Sequence, residues 1–249
     1  MRILRLYPDR LRLEDVERPV PGEGEVLVRV QAAAITRDEL DWPTDRMPAV
    51  PSYELSGVVA DTGDEVYALT PFDRDGVAAD YTVVPSAVLA PKPATLSHVE
   101  AAALAMGGLS AWQGLFVHGR LQAGERVLIT GASGGVGHLA VQLARHAGAV
   151  LVEEVPADLV FDTVGGELPA GERVVTIAAE APGATYFVVE PDREQLVELA
   201  TLADSGELVP AIDSTFPLER AQEAFERVAA RGKRGKVVLG VAGGTPSPS

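Results

Sequence analysis

A glycine-rich turn between two apolar segments constrains the fold of this chain more than any other feature. The run RVLIT at 126–130 predicts a buried strand, and 135–147 predicts a helix with one apolar face. The turn GASGGVG joins them, and Ala132, Gly134 and Gly137 within it form the pattern A-x-G-x-x-G. Gly134 lets the backbone approach a pyrophosphate, and Gly137 lets the helix pack closely on the strand. Together these segments predict a dinucleotide-binding unit built on a parallel sheet.

The interval after this helix is short for such a unit. Only nine residues, 149–157, separate the helix from the next buried run at 158–163. A parallel crossover takes a dozen or more residues, so we predict that the second strand and its helix are absent. Alternatively, 150–155 is the second strand and Glu153 or Glu154 contacts the ribose hydroxyls of a cofactor. Its two-residue connection to the next strand would then make an antiparallel pair.

The charges near this interval disfavour a 2′-phosphate group. Glu153, Glu154 and Asp158 would repel it, and no Arg or Lys lies between Arg145 and Arg173 to pair with it. We therefore expect the shortened chain to keep the pyrophosphate turn and to lose most of the adenosine pocket.

The first third of the chain has the pattern of a β barrel, and the rest has an α/β pattern. Short runs separated by Gly and Pro predict early strands at 11–16, 25–34, 55–60, 65–69 and 77–85. A capping box, Ser97 with Glu100, begins an Ala-rich helix. Further helices are predicted at 110–118, 192–205 and 218–230, and further strands at 158–163, 173–178, 185–189 and 236–241. Two architectures predict two domains, and 243–249 is predicted to be a disordered tail.

Composition excludes several classes of protein. The chain has no cysteine, which excludes disulfides and thiolate zinc sites. Its four histidines lack metal-ligand spacing, and its net charge of −15 disfavours nucleic acid and anionic membranes. There is no uninterrupted apolar span and no signal-peptide core near the N-terminus. We therefore expect a cytoplasmic protein that acts on a small molecule.

Seven stretches of the chain resemble the zinc-free branch of the medium-chain dehydrogenase/reductases, the quinone oxidoreductase group. They are PVPGEGEVLVRVQAAAITRDEL, VPSYELSGVVA, GDEVYAL, LAPKPATLSHVEAAALAMGGLSAWQGL, AGERVLITGASGGVGHLAVQLARHAGA, DLVFDTVGG and GKRGKVVLGV. The resemblance implies a GroES-like barrel domain at 1–96 and 211–249, with a shortened Rossmann-like domain inserted at 97–210. It also implies hydride transfer from NADPH, or NADH, to an enone, quinone or related carbonyl compound, and often a homodimer.

The resemblance also assigns roles to residues. Those expected to contact the cofactor are Ser133, Gly134, Gly135, Val136, Gly137, Val164, Gly165, Ile177, Phe187 and Lys236. Ser110 matches the family's Thr near the nicotinamide, and Tyr53 borders the substrate. Thr36 replaces an Asn common in the family, and Glu39 fills the acidic position of that stretch.

Each of these residues also has a structural interpretation. Tyr53 can simply pack against the barrel, and Lys236 can be a solvated lysine at a strand edge. Glu39 and Glu54 are interpreted as structural hydrogen-bond acceptors. Asp162 is expected to cap a neighbouring turn.

Three functions remain open from the sequence. The first is a zinc-independent oxidoreductase that uses NADPH or NADH. The second is a cyclase, lyase or isomerase that needs no cofactor and reuses the cleft between the domains, motivated by the loss of the adenosine pocket. The third is a non-catalytic binding protein.

Overall fold

The first part of the chain forms an antiparallel sheet around one long strand. The computed structural model describes residues 1–37, 39–42 and 46–241. Its early strands are β1 (Arg2–Tyr7), β2 (Arg10–Asp15), β3 (Glu25–Ile35), β4 (Glu54–Val59), β5 (Glu65–Leu69), β6 (Tyr81–Pro85) and β7 (Ala90–Pro91). The long strand β3 pairs with both β4 and β6, whereas β1 and β2 pair with each other in a separate two-stranded sheet. Every pairing among these strands is antiparallel. The predicted barrel-like β region is confirmed.

Two details of this region differ from the prediction. Strand β1 was missed because Ile3 and Leu4 are both buried, so the segment lacks a period-two alternation. Strand β6 begins later than predicted because the amides of Val77 and Ala78 donate to the carbonyls of Ser52 and Pro51 in a neighbouring loop.

A second sheet contains five parallel strands. They are β8 (Arg126–Ile129), β9 (Val150–Val152), β10 (Leu159–Asp162), β11 (Arg173–Thr176) and β12 (Thr185–Tyr186). Their order is β12-β11-β10-β8-β9, and each pairing is parallel. The usual order of a doubly wound dinucleotide-binding sheet is 3-2-1-4-5-6. In this chain β8 and β9 take places 1 and 2, and the strand at place 3 is absent from the described residues.

The prediction that the second strand is absent is therefore wrong. Val150–Val152 pairs in parallel with Arg126–Leu128 on one side of β8, and β10 pairs with β8 on the other side. A connection this short would require a hairpin only if β9 and β10 were neighbours. Because β8 lies between them, residues 153–158 cross the sheet without a helix and both strands stay parallel.

This crossing segment replaces helical cover on one face of the second sheet. Ala157, within the segment, is buried against Leu128 and Val160 in a small core. The opposite face, with Val127 and Phe161, packs in the large core that includes the helices. In the described part of the chain, helices therefore cover one face of this sheet, and the shortened segment covers the other.

The described residues form four α-helices, namely α1 (His98–Trp112), α2 (Gly137–His146), α3 (Arg193–Asp204) and α4 (Ala221–Ala229). The predicted capping box is confirmed, since Ser97 caps α1 and the Glu100 carboxylate accepts from the Ser97 amide. The separate helix predicted at 110–118 is wrong. Helix α1 continues directly into a π-helical segment, Gln113–His118, so the helical path has no break.

Helix α1 lies between the two sheets and contacts both. It packs against β3, β4 and β5 of the first sheet and against α2 and α3 beside the second. Glycines make this close approach possible: a Cβ atom on Gly107 would lie 2.8 Å from the carbonyl oxygen of Gly135. The helix therefore brings the glycine-rich turn next to the barrel strands.

The end of the chain returns to the first sheet. Strands β13 (Ile212–Pro217) and β14 (Lys236–Gly240) pair in parallel with each other, and β14 pairs antiparallel with β3. This return is what the resemblance implies, and the domain limits at 96 and 211 stay a prediction. The predicted tail at 243–249 lies outside the described residues.

Candidate functional site

The glycine-rich turn forms a cradle at the end of β8. The Gly134 amide donates to the Gly131 carbonyl at 2.8 Å, and Gly131 has a positive φ of 66°. A Cβ atom on Gly137 would lie 2.1 Å from the Gly131 oxygen, so only glycine lets α2 begin this close to the turn. The amides of Gly135, Val136 and Gly137 donate to no acceptor within the described residues. Such amides at a helix start favour a bound phosphate group.

Asp162 holds the neighbouring strand ends in place. This buried carboxylate accepts hydrogen bonds from the hydroxyls of Thr130 and Thr176, at 2.5 and 2.8 Å, and from the Gly165 amide at 3.0 Å. It therefore links the ends of β8, β10 and β11 and fixes the turn that follows β10. The prediction that Asp162 caps a neighbouring turn is confirmed.

The turn after β10 meets the glycine-rich turn. A Cβ atom on Gly131 would lie 2.6 Å from both Thr163 Oγ1 and Val164 Cγ2. Val164 itself is 65% exposed, and Gly165 has a φ of 83°. Two sets of predicted cofactor residues, the glycine-rich turn and Val164 with Gly165, are thus adjacent.

A groove of about 1000 Å³ begins at the glycine-rich turn and reaches the end of β9. Its walls include Gly131, Ala132, Val141, Arg145, Glu153, Glu154, Val155 and Pro169. The expectation that most of the adenosine pocket is lost was based on an absent second strand, and the retained β9 removes that premise. Sequence reasoning overlooked Arg145 as a lining residue, although it follows Val141 by one helical turn on α2 and so shares its face.

Lys236 lies in a buried polar cluster between the two sheets. Its Nζ atom donates to a Glu54 carboxylate oxygen and to the Thr36 hydroxyl, and Glu54 also accepts from the Met106 amide of α1. The expectation of a solvated strand-edge lysine is wrong, because β14 is an inner strand and Lys236 is only 6% exposed. A Cβ atom on Gly135 would lie 2.8 Å from Lys236 Cδ, so the lysine stem passes directly beside the cradle.

Glu39 is a second buried carboxyl next to this cluster. It accepts from the amides of Thr36 and Ser52 at 2.8 and 2.9 Å. Burial raises the pKa of Glu39 from 4.5 to about 8, against the opposing effects of the Thr36 amide and of Lys236. Glu39 and Glu54 both accept hydrogen bonds, as their structural interpretation expects.

The raised pKa of Glu39 predicts a loss of stability with increasing pH. Between about pH 4.5 and 8 the unfolded chain releases this proton and the folded chain keeps it. The free energy of unfolding should therefore fall by up to about 1.4 kcal/mol per pH unit in that window. Urea denaturation at several pH values measures this slope. Glu39→Gln should flatten it, and an unchanged slope in that variant would contradict the assignment.

Tyr53 belongs to an aromatic cluster at the barrel. Its ring lies 5.1 Å from Phe72 and 6.0 Å from Trp42, measured between centroids, and burial raises its pKa. Thr70 donates to its carbonyl through both its amide and its hydroxyl. The ring therefore packs as the structural interpretation expects, and its contact with substrate stays a prediction.

The remaining predicted residues lie deeper in the fold. Ser110 is buried on α1, and Ile177 is half-buried just after β11, where its amide donates to the Asp162 carbonyl at 3.1 Å. Phe187 is buried and stacks on the His118 ring at 4.3 Å. Ile177 thus adjoins the strand ends of the site, whereas Phe187 packs in the core.

His138 is a residue of the cradle that sequence reasoning missed. Its Nε2 atom accepts from the Ala211 amide at 2.9 Å, so its Nδ1 atom carries the proton and donates to the Gly134 carbonyl at 2.7 Å. Burial lowers its pKa, which favours this neutral form. The position of His138, one helical turn after Gly134, indicates its contact with the Gly134 carbonyl. Its second partner, Ala211, is remote in sequence and could not be predicted.

Two other kinds of site are absent from the described part of the chain. Among the described residues, no group of three or more His, Cys, Asp or Glu side chains could hold a metal ion. No helix within residues 1–37, 39–42 and 46–241 is long and apolar enough to cross a membrane.

Comparison with known proteins gives two family matches. Residues 22–75 match the alcohol dehydrogenase GroES-like domain, and residues 140–239 match the family described as zinc-binding dehydrogenase. A solved quinone oxidoreductase from Thermus thermophilus, also studied in complex with NADPH, is 30% identical with a TM-score of 0.80, covering 97% of this chain and 100% of that one.

Two curated relatives cover nearly the whole chain. A probable zinc-binding oxidoreductase of Arthroderma benhamiae is 30% identical, covering 93% of each chain. A 2-methylene-furan-3-one reductase of Solanum lycopersicum is 32% identical, covering 93% of this chain and 76% of the relative. The alignment with the first spans 308 positions, more than the 249 residues of this chain, so it contains gaps here. The chain therefore belongs to the quinone oxidoreductase group of the medium-chain dehydrogenase/reductases, the zinc-free branch, and is an oxidoreductase with a nicotinamide cofactor and a shortened Rossmann-like sheet.

Proposed function

We propose that this enzyme reduces an enone, a quinone or a related carbonyl compound with hydride from NADPH or NADH, and that it needs no zinc. The observation that carries this proposal is the cradle of Gly135, Val136 and Gly137 amides at the head of a groove of about 1000 Å³. Names of relatives support the substrate class, since one is a 2-methylene-furan-3-one reductase and another an NADPH-dependent alkenal/one oxidoreductase.

The described residues suit a nicotinamide dinucleotide. The free amides of the cradle would face the pyrophosphate, and Gly134, where a Cβ atom would meet only the Gly131 oxygen at 3.1 Å, leaves no side chain in its way. The turn held by Asp162 would place Val164 and Gly165 beside the nicotinamide ribose. The groove wall at Glu153 and Glu154 would face the adenosine half.

The chemistry asks mainly for positioning. When bound, the cofactor would supply hydride to the electron-poor β-carbon of an enone, and solvent would supply the proton at the α-carbon. The protein holds the hydride donor and the acceptor close together in the orientation that hydride transfer requires. The aromatic cluster of Trp42, Tyr53 and Phe72 offers an apolar surface for the acceptor on the barrel side.

The groove bears on the alternative functions. A redox-neutral cyclase, lyase or isomerase was motivated by a lost adenosine pocket, and the retained β9 removes that motivation. The non-catalytic alternative is wrong, because the relatives that cover nearly the whole chain are oxidoreductases.

A binding titration and a turnover assay test the proposal together. Quenching of protein fluorescence should show a Kd in the micromolar range for at least one of NADPH and NADH. The absorbance of the reduced cofactor should then fall when 3-buten-2-one or 1,4-benzoquinone is added, at the same rate after dialysis against EDTA. Failure of both cofactors to bind at millimolar concentration would overturn the proposal, and a loss of turnover with EDTA would overturn its zinc independence.

A further inference from the structure

We infer that the groove selects NADH over NADPH, because Glu153 and Glu154 lie where the 2′-oxygen of the adenosine ribose would be held. This inference rests on the proposed function and deepens it, since a relative of this chain is named for NADPH dependence. It concerns the adenosine end of the groove and does not depend on which carbonyl compound is reduced.

The position of the two carboxylates follows from the sheet. Strand β9 is the parallel neighbour of β8, and Val152, its last residue, pairs with Leu128. In dinucleotide-binding sheets the residue that meets the ribose hydroxyls follows the second strand, about 20 residues after the glycines. Glu153 follows β9 directly and meets both conditions.

The groove connects these carboxylates with the phosphate cradle. Gly131 and Ala132 of the glycine-rich turn line the same groove as Glu153 and Glu154. Within the part of the chain that the structure describes, neither carboxylate has an ion-pair or hydrogen-bond partner. Both are exposed and can accept hydrogen bonds from the 2′- and 3′-hydroxyls of a ribose.

The apolar parts of the groove suit an adenine ring. Val155 and Pro169 lie on the side of the crossing segment and of the turn after β10, and Val141 lies on α2. A purine between such side chains would leave its ribose near the end of β9. The absent third strand therefore opens this end of the groove without removing its walls.

Among the described residues that line the groove, Arg145 is the one cation. It is therefore the side chain that could pair with a 2′-phosphate and favour NADPH. It is exposed, and no ion pair with it occurs within residues 46–241. The groove is lined by one guanidinium and two carboxylates, so its formal charge is negative, as is the net charge of −15 of the whole chain. A 2′-phosphate brings a further charge of about −1.5 to −2, whereas a ribose hydroxyl brings none.

The affinity ratio of the two cofactors tests this inference. Fluorescence titration of the wild-type enzyme should give a Kd for NADH at least about tenfold lower than for NADPH, and high salt should narrow that ratio. The double variant Glu153→Gln/Glu154→Gln should bind NADPH at least about tenfold more tightly than the wild type does. Arg145→Gln should leave the preference for NADH in place.

A fragment pair isolates the adenosine end. Adenosine 5′-monophosphate should compete with bound NADH more strongly than adenosine 2′,5′-bisphosphate, and the double variant should reverse or remove that difference. The substituted side chains are exposed, and circular dichroism checks that each variant is folded.

The contrary outcomes are distinct. Tighter binding of NADPH by the wild type, abolished in Arg145→Gln, would overturn the inference and leave the proposed function intact. An unchanged ratio of the Kd values for NADH and NADPH in the double variant would show that the two carboxylates do not distinguish a ribose hydroxyl from a 2′-phosphate. Absence of binding by both cofactors would overturn the proposed function together with the inference.

Discussion

Lys236→Met should lower the free energy of unfolding by about 3–5 kcal/mol, because it leaves a carboxylate buried without its cation. Glu54 is 0% exposed, and its remaining partners are the Thr36 hydroxyl and the Met106 amide. Methionine keeps much of the lysine stem that passes Gly135, so the change removes the charge more than the packing. Urea denaturation followed by circular dichroism measures the loss.

A double-mutant cycle separates the ion pair from other effects of the substitution. Glu54→Gln alone should also be strongly destabilising, because it leaves the Lys236 ammonium buried. Combining Glu54→Gln with Lys236→Met removes both charges, so the combined loss should be at least about 2 kcal/mol smaller than the sum of the single losses. Strict additivity would show that the pair is not coupled.

An exposed ion pair supplies the matched control. Arg220 and Glu223 are about half exposed and lie one turn apart. Arg220→Met removes the same kind of interaction at the surface, where solvent screens it, and we expect no resolvable change in the denaturation midpoint. A loss there as large as in Lys236→Met would mean that burial is not the cause.

Local chemistry made part of this fold predictable. The strand, glycine turn and helix around Gly134 are specified within about twenty residues, so their hydrogen bonds and close approaches follow from the sequence itself. The capping box at Ser97 is likewise a contact between residues three apart. The alternation along 25–34 predicted a strand for the same reason, and the observed strand is Glu25–Ile35.

The parts that were not predictable depend on which strands become neighbours. Strand β9 has three residues, too few for a period to show, and its parallel pairing depends on β8 lying between it and β10. No pattern in the sequence near Lys236 indicates that β3 and β13 flank its strand, so its inner position could not be predicted. Phe187 packs on His118, a partner remote in sequence.

The difference between local contacts and the pairing of strands also explains what the shortening of the chain removed. A doubly wound sheet has helices on both faces, and here the described helices cover one face while residues 153–158 cover part of the other. The cradle and Asp162 depend on the ends of β8, β10 and β11, which the shortening left in place. The loss of an edge strand is therefore compatible with a retained phosphate site.

Two glycines of the cradle should separate contact with the cofactor from packing of the turn. A Cβ atom on Gly137 would lie 2.1 Å from the Gly131 oxygen and 2.9 Å from Ala132 Cα, so Gly137→Ala must displace α2 from the turn. We expect it to lower the free energy of unfolding by about 1–3 kcal/mol and to weaken cofactor binding at least about a hundredfold, because the free amides move with the helix.

Gly134→Ala should act differently, because a Cβ atom there meets only the Gly131 oxygen, at 3.1 Å. A small adjustment accommodates that contact, so the denaturation midpoint should change little, while the methyl group stands where the pyrophosphate must approach. Fluorescence titration should show cofactor affinity reduced at least about tenfold in a protein of nearly wild-type stability. Equal cofactor affinity in Gly134→Ala and the wild type would place the pyrophosphate away from this turn. An equal loss of stability in Gly134→Ala and Gly137→Ala would show that both glycines are required for packing of the turn and not for cofactor contact.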